Sequence, residues 1–300
     1  MESEKHVDVK DARPATSRDF PAYVYIKNFH YPKGIRMAIN FTINFDAQLL
    51  RKLKNEPIME VTRGEFGGRV GIWRLIDLFD RQRIRATLFV PGRICELYPL
   101  SLKEAALRGH PLENLTWDKT IPEDSEIERE HIRKATSALE EISSRKPVGT
   151  RSGHKLSYLK AAGYCYTSST AVPDDLPGYI SDDRGETYML CLPSHHVLND
   201  AMHFSFGWFG SGNAGNRLAD PSKVYDIWLS AFRQSYKMGG YMNFIFHDFD
   251  SGRAARIAML DRLMTEMKRW PGVWFATCEE LARYCLDRFP TPPERKQTHP

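Results

Sequence analysis

The composition of this chain is that of an ordinary globular protein. Its 300 residues are 42% hydrophobic and 27% charged, which excludes a disordered, collagen-like or disulfide-stapled chain. The 42 Lys and Arg residues are interleaved with 38 Asp and Glu residues, so the net charge of +4 provides no clustered basic surface for nucleic acid.

The first half of the chain alternates between strand and helix patterns. The apolar, β-branched run over 35–45 predicts a buried strand, and apolar residues at every third position over 69–81 predict an amphipathic helix. A short apolar run at 85–92 predicts a second strand that is closed by a Pro-Gly turn. A further helix is predicted over 100–108, ending at Gly109.

Similar patterns continue in the second half. Ser125 and Glu128 form an S-x-x-E pattern, which predicts a capping box at the start of a helix that extends to about Ile142. Residues 177–220 are rich in glycine and aromatic residues and break the pattern, which predicts an irregular functional loop or lid. The other predicted elements are a helix over 156–162, a strand after Gly163, a strand over 241–247, a helix over 253–269, a strand over 273–278 and a helix over 279–288.

The alternation of strands and helices predicts an α/β fold with a parallel sheet. Because no linker interrupts the pattern, we expect one barrel-like domain over 26–288, between flexible segments at 1–25 and 289–300. The odd number of cysteines, without a C-x-x-C pair, predicts reduced thiols. The N-terminus is polar and the sequence has no long apolar run. Together with the reduced thiols, these two features lead us to expect a cytoplasmic protein that does not enter a membrane.

Ordered segments of the sequence carry a resemblance to a known family. They are NFDAQ (44–48), the run from RGEFGG to LFVPG (63–92), RGHPLENLTWDK (108–119), RKPVGTRS (145–152), FHDFDSGRAARI (246–257) and VWFATCEELARY (273–284). Together they resemble the polysaccharide deacetylase family, nearest the branch of cyclic imide hydrolases and the metal-independent allantoinase. That branch has similar runs to EFGGRVGI, to DDLP at 174–177 and to the GRAAR that follows His247. The resemblance implies an incomplete (β/α) barrel and hydrolysis of an amide C–N bond.

The resembled family binds a divalent metal through one Asp and two His, beside an Asp that acts as general base. In this sequence the metal Asp is retained as Asp46, whereas Asn44 stands at the base position. Leu115 and Lys119 stand where the two histidines belong, and neither side chain suits zinc. We therefore expect neither the family's metal nor another cofactor.

Candidate catalytic residues follow from the resemblance and from their positions at strand ends. His247 follows a buried strand and matches the family's general acid, whereas Arg151 matches an arginine that orients the base, with Asp46 as its expected partner here. Asp46 itself is a candidate base or substrate anchor. The alternatives are that His247 is a structural histidine, that Arg151 lies on the surface, and that the Asp46 carboxylate forms a helix cap or a turn.

Lys119 has three interpretations that the sequence leaves open. It replaces the charge of the lost metal beside Asp46, it extends to solvent from a loop, or it is an amine for covalent chemistry. The first interpretation predicts a contact between Lys119 and Asp46 within about 4 Å.

Substrate contacts are predicted near the glycine-rich run and in the irregular region. Glu65 is a catalytic candidate that could supply the carboxylate missing at Asn44, or it forms a plain salt bridge with Arg69. The predicted substrate-binding residues are Asn44, Arg69, Trp117, His195, His196 and Trp208, with core packing as the alternative for the aromatic ones.

The leading functional hypothesis is metal-independent hydrolysis of a C–N bond in a small cyclic amide, imide or ureide. The alternatives are a non-hydrolytic enzyme (a cyclase, isomerase or lyase acting on a small carbonyl compound) and a binding protein without activity. The expected partner is a small-molecule substrate, not nucleic acid or a membrane. A homo-oligomer is compatible with the resembled branch, whose members often form oligomers.

Overall fold

The computed structural model describes residues 23–169, 172, 174–182, 185–205 and 218–292. The strands are β1 (Tyr23–Tyr25), β2 (Met37–Asn44), β3 (Thr87–Val90), β4 (Leu112–Asn114), β5 (Gly149–Thr150), β6 (Tyr166–Ser169), β7 (Gly178–Ser181), β8 (Tyr188–Pro193), β9 (Tyr241–His247) and β10 (Val273–Phe275). The α-helices are α1 (Leu49–Leu53), α2 (Ile58–Phe66), α3 (Ile72–Gln82), α4 (Ile94–Leu97), α5 (Pro99–Leu107), α6 (Ser125–Ser143), α7 (Leu156–Ala161), α8 (Ala201–Phe204), α9 (Pro221–Met238), α10 (Asp248–Ser251), α11 (Ala254–Met267) and α12 (Cys278–Arg288). A π-helical segment, Gly67–Gly71, joins α2 to α3, and a 3-10 turn, His196–Leu198, follows β8.

The strands form one curled sheet in the order β1-β7-β8-β6-β5-β4-β3-β2-β10, and β9 also pairs with β2. Pairing is parallel throughout except at β7, which is antiparallel to both β1 and β8. A curled, mostly parallel sheet covered by helices is the predicted incomplete barrel, so the predicted fold class is confirmed. The carboxyl ends of the parallel strands meet at one edge, where barrel folds hold their chemistry.

The central strands separate an apolar face from a polar face. In β2, the apolar residues at 37, 39, 41 and 43 pack in the main core with the helices. Thr42 and Asn44 alternate with them and lie on the opposite face, because successive side chains of a strand point to opposite sides. In β9, Asn243 and His247 share that second face, and His247 lies directly opposite Asn44 in the register. The barrel interior is therefore polar near the carboxyl edge.

The start of α6 corrects one prediction. The helix begins at Ser125 as expected, but its N-cap is Asp124, whose carboxylate accepts backbone N–H groups of the first turn. The predicted capping-box partner, Glu128, is buried and instead accepts the backbone N–H of Lys155. The predicted capping box is wrong because Asp124 is the N-cap: its carboxylate accepts from Glu126 and Ile127, and its backbone oxygen accepts the N–H of Glu128.

The region predicted to be an irregular loop, 177–220, contains regular elements in its described residues. It contains β7, β8 and α8, while residues 206–217, including Trp208, lie outside the described residues. The hairpin of β7 and β8 also binds β1, which therefore begins before the expected domain start at residue 26. None of the helices in the described ranges combines the length and the apolar character that a membrane span requires.

Candidate active site

Several predicted site residues meet at the carboxyl edge of the sheet. Asn44 ends β2 and His247 ends β9, while Asp46 and Arg151 follow directly after β2 and β5. Asp46 is 1% exposed and His247 is 4% exposed, so the reactive groups lie below the surface. This cluster is the candidate active site.

Arg151 joins three strands through its guanidinium group. Its Nη1 donates to Asn44 Oδ1 at 2.8 Å, and its Nη2 donates to Thr42 Oγ1 at 2.8 Å and to Ser168 Oγ at 2.7 Å. Asp46 was the expected partner, and this expectation is wrong, because the two-pronged group reaches the residues of β2 that point into the barrel. Burial lowers the pKa of Arg151 to about 10, which leaves it positively charged at neutral pH.

His247 forms a pair with an acid that the sequence analysis missed. Its Nδ1 lies 2.6 Å from Asp200 Oδ1, and the other carboxylate oxygen accepts the backbone N–H of His247 at 2.7 Å and the Ser251 hydroxyl at 2.6 Å. Burial alone would lower the pKa of His247, but the charge and hydrogen bond of Asp200 raise it above its usual value. The only sequence signal was the acid that closes the run SHHVLND, whose histidines drew the prediction instead.

Asn44 links these two groups. Its Oδ1 accepts from Arg151, and its Nδ2 lies 3.3 Å from His247 Nε2. The amide therefore stands between a permanent cation and the imidazole ring, in the position where the resembled family has its general base.

Lys119 is in contact with Asp46, as the counter-charge interpretation predicted. Its Nζ lies 3.1 Å from Asp46 Oδ1 and 3.3 Å from Oδ2. The Lys119 side chain is 17% exposed, whereas the carboxylate is 1% exposed. The contact confirms the predicted distance and excludes the solvent-extended loop residue.

The loop that carries Lys119 has an unusual backbone. Thr116 has a φ of 104° and Lys119 a φ of 74°, values that side chains with a Cβ rarely adopt. The backbone N–H of Lys119 donates to Thr116 Oγ1 at 2.7 Å, and Leu115 is buried in the interior cluster. Such strain persists only where the surrounding contacts hold it, and here it directs the ammonium group to Asp46.

The residues present do not fit the metal of the resembled family. The Lys119 ammonium lies against the Asp46 carboxylate, and Leu115 offers no lone pair. Within the described ranges, no group of three or more His, Cys, Asp or Glu side chains is arranged to hold a metal ion. A cation therefore accompanies Asp46 as part of the chain itself.

Asp248 is a second buried acid that the sequence analysis missed. Its Oδ1 accepts the backbone N–H groups of Asp46 at 3.3 Å and Ala47 at 3.4 Å. Burial and the neighbouring charge of Asp46 raise the pKa of Asp248 well above its usual value. A Cβ at Gly67 would lie 2.0 Å from Asp248 Oδ2, so this glycine gives room to the acid rather than to a ligand.

Glu65 and Arg69 lie outside the buried cluster. Their side chains are 44% and 58% exposed and form an ion pair at 3.6 Å, one helical turn apart. This is the plain salt bridge that the sequence left open, and their predicted roles in catalysis and binding have no support from the geometry.

The predicted aromatic and histidine contacts have these surroundings in the structure. Trp117 is half-buried and packs over Gly92, where a Cβ would lie 2.5 Å from the indole ring. His195 and His196 are exposed at the 3-10 turn after β8, where His195 Nδ1 accepts the backbone N–H of Val197. Trp208 lies outside the described residues.

Comparison with known proteins agrees with the motifs and the fold. The family model for polysaccharide deacetylases matches residues 66–166. The peptidoglycan deacetylase-like protein FGM2 of Gibberella zeae is 25% identical over 302 residues, which cover 84% of this chain and 88% of that protein. Over these matches the chain is similar to polysaccharide deacetylases. The resemblance predicted from the ordered motifs is thereby confirmed.

Solved structures share the fold of this chain. A structure from Mycobacterium smegmatis assigned to the polysaccharide deacetylases is 24% identical, with a TM-score of 0.78, covering 93% of this chain and 98% of that one. The structure of PuuE allantoinase is 21% identical, with a TM-score of 0.76, covering 88% of this chain and 94% of that one. Both likenesses support the predicted fold.

Proposed function

We propose that this chain hydrolyses a C–N amide bond in a small cyclic amide, imide or ureide, without a bound metal. The observation that carries the proposal is the ion pair of Lys119 with Asp46, at the position where the family's metal ligands are expected. Hydrolysis of an amide needs a positive group for the carbonyl oxygen, a water molecule and a proton for the leaving nitrogen.

The chain supplies each of these groups. Lys119 is partly exposed above a buried carboxylate, so its ammonium can also donate to a substrate carbonyl oxygen and stabilise negative charge there. His247 lies at the same edge of the sheet, with Asp200 at its far nitrogen, as a proton-transfer group. The depth of this cluster favours a small substrate over a polymer.

The ion pair also separates this proposal from Schiff-base chemistry. An ammonium group held at 3.1 Å from a carboxylate oxygen is a poor nucleophile, because the amine must lose a proton before it can attack a carbonyl. Hydrolysis needs no such loss. The name of one structural neighbour, PuuE allantoinase, gives further support for a small ureide as the substrate.

The experiment is an activity screen of the chelator-treated protein. Its metal content is measured first, and five- and six-membered cyclic amides, imides and ureides are then supplied with and without chelator. We expect a product that is heavier than its substrate by one water molecule, formed at the same rate in both conditions. An His247→Ala variant controls for contaminating hydrolases.

Two results would overturn the proposal. One is a stoichiometric metal in the purified protein that binds through Asp46 and whose removal abolishes turnover. The other is trapping of a substrate on Lys119 by borohydride, which would reveal a covalent imine.

A further inference from the structure

The orientation of the Asn44 amide is determined by its neighbour. A guanidinium group can only donate hydrogen bonds, so the atom that lies 2.8 Å from Arg151 Nη1 has to be the amide oxygen. The amide nitrogen then points to His247 Nε2, at 3.3 Å. An NH₂ group has no lone pair to offer, so the only hydrogen bond it can form there is a donation to Nε2.

The other ring nitrogen, Nδ1, has to donate a hydrogen bond rather than accept one. Asp200 Oδ1, at 2.6 Å from Nδ1, needs a donor, and its second oxygen already accepts from the Ser251 hydroxyl and a backbone N–H group. An ionised carboxylate accepts at both oxygens, so Nδ1 carries a proton. The two contacts define one tautomer, with the proton on Nδ1 and the lone pair on Nε2.

We propose that His247 rests as this neutral tautomer and is the general base that removes a proton from the attacking water. The inference rests on the proposed hydrolysis and assigns the base that Asn44 cannot be. Arg151 and Asn44 are then positioning residues, because they act through His247. A carboxylate at position 44 would accept a hydrogen bond from Nε2–H and would hold the ring as a proton donor instead.

In the proposed reaction, His247 takes up one proton and later releases it. Water forms a C–O bond to the carbonyl carbon, its proton moves to Nε2, and the carbonyl π pair moves to the oxygen beside Lys119. The C–N bond then breaks with its electron pair on nitrogen, which takes the proton from Nε2 as the carbonyl re-forms. Asp200 stabilises the intermediate imidazolium, and the histidine returns to its resting state.

The charges around the ring support such a base. Asp200, Asp46 and Asp250 face it from three elements and raise the pKa of His247 against the effect of burial. Arg151 and the Asn44 amide act in the other direction, because a positive group and a donor disfavour the imidazolium. Asp248 follows His247 directly in the chain, and burial together with the charge of Asp46 raises its pKa well above its usual value.

The test is the ¹⁵N spectrum of the histidine rings in the full chain without substrate, recorded across the titration of His247. An His247→Gln spectrum assigns the signals. When the ring is neutral, we expect an unprotonated Nε2 and a protonated Nδ1. In Asn44→Asp, the Nε2 signal should move to the protonated type at the same pH, and the midpoint of the titration should move to higher pH.

Asn199→Asp is the matched control. Asn199 is half-buried beside Asp200, and its Oδ1 accepts the backbone N–H of Ala201, which an aspartate also can do. This variant adds a negative charge near the ring without touching Nε2, so the tautomer should stay as in the unaltered chain.

The inference is overturned if the neutral ring of the unaltered chain carries its proton on Nε2, or if the two Asn→Asp variants change the tautomer equally. If Asn44→Asp does not fold, Asn44→Leu removes the NH₂ donor at similar size, and an unchanged tautomer preference would then overturn the role of Asn44. Because no substrate is present, failure of this test is distinct from failure of the hydrolysis screen.

Discussion

At the scale of single residues, Lys119 and Asp46 form a charge pair in which the buried carboxylate needs its partner more than the partly exposed ammonium does. The carboxylate is 1% exposed and the ammonium 17% exposed. Lys119→Met leaves a buried carboxylate without its cation, so we expect a loss of about 3 kcal/mol in the free energy of unfolding. Asp46→Asn in the same chain should restore most of it, which urea unfolding of the two single variants and the double variant measures.

Lys134 provides the control for this cycle. It lies 3.7 Å from Glu130, one turn away on the exposed face of α6, with 47% of its side chain exposed. Lys134→Met should change stability by less than about 0.5 kcal/mol. Additive losses in the Lys119 and Asp46 double variant would show that the pair contributes no coupling.

His247 is expected to dominate the rate. His247→Ala removes the proton-transfer group and should lower turnover of the substrate found in the screen by about 10²–10⁴-fold. Turnover by the unaltered chain should increase as pH rises through the pKa of His247, because a base acts only when it is unprotonated. A rate that falls over the same range would contradict the role of base.

The residue scale also shows what a sequence can reveal about a site. Asp46, Arg151, Lys119 and His247 were predictable because each stands beside a strand pattern or in an ordered motif. Their partner Asp200 was not, since it reaches His247 from a segment 47 positions away that carries no strand signal of its own. Contacts that depend on how distant segments meet leave no local pattern.

At the scale of elements, the π-helical segment Gly67–Gly71 determines how closely α10 can approach. A Cβ at Gly71 would lie 2.0 Å from the backbone oxygen of Asp248, directly after His247. Gly71→Ala should therefore displace α10, with a loss of about 1–3 kcal/mol in stability by urea unfolding and a reduced rate. A stable Gly71→Ala variant with full activity would contradict this packing.

Gly153 offers the matched control for that substitution. A Cβ there would meet only Ile121 Cγ1, at 4.0 Å. Gly153→Ala should leave stability within about 0.5 kcal/mol of the unaltered chain.

Strongly periodic elements were predictable and irregular ones were not. The amphipathic pattern of α3 and the apolar runs of β2 and β9 reflect which residues of each element are buried, and this is visible in the spacing of apolar residues. The start of α2, the π-helical segment and the strands β7 and β8 depend instead on tertiary neighbours. Close approach to Asp248 explains the glycines, and pairing with β6 and β1 explains the two strands.

At the scale of the whole molecule, Glu113 connects the strands in the middle of the sheet. From β4, its Oε2 accepts the backbone N–H groups of Val148 at 2.9 Å and Gly149 at 2.7 Å, and its Oε1 accepts from the Tyr166 hydroxyl of β6 at 3.0 Å. Burial is the main cause that raises the pKa of Glu113 from 4.5 to about 8. Glu113 is thus an ionisable group buried between β4, β5 and β6, and Arg151 and Ser168 lie after β5 and in β6.

The contribution of Glu113 to the stability of the chain should therefore fall as pH rises. Between pH 4.5 and about 8 the folded chain keeps the Glu113 proton while the unfolded chain has released it, so each step upward in pH favours unfolding. Glu113→Gln keeps an acceptor for the two N–H groups and has no proton to lose, so the decline should flatten over this window. Urea unfolding at several pH values measures it, with Glu130→Gln on the exposed face of α6 as the control that keeps the original slope. Equal slopes for the unaltered chain and Glu113→Gln would show that Glu113 is ionised in the fold and that its hydrogen bonds outweigh its burial.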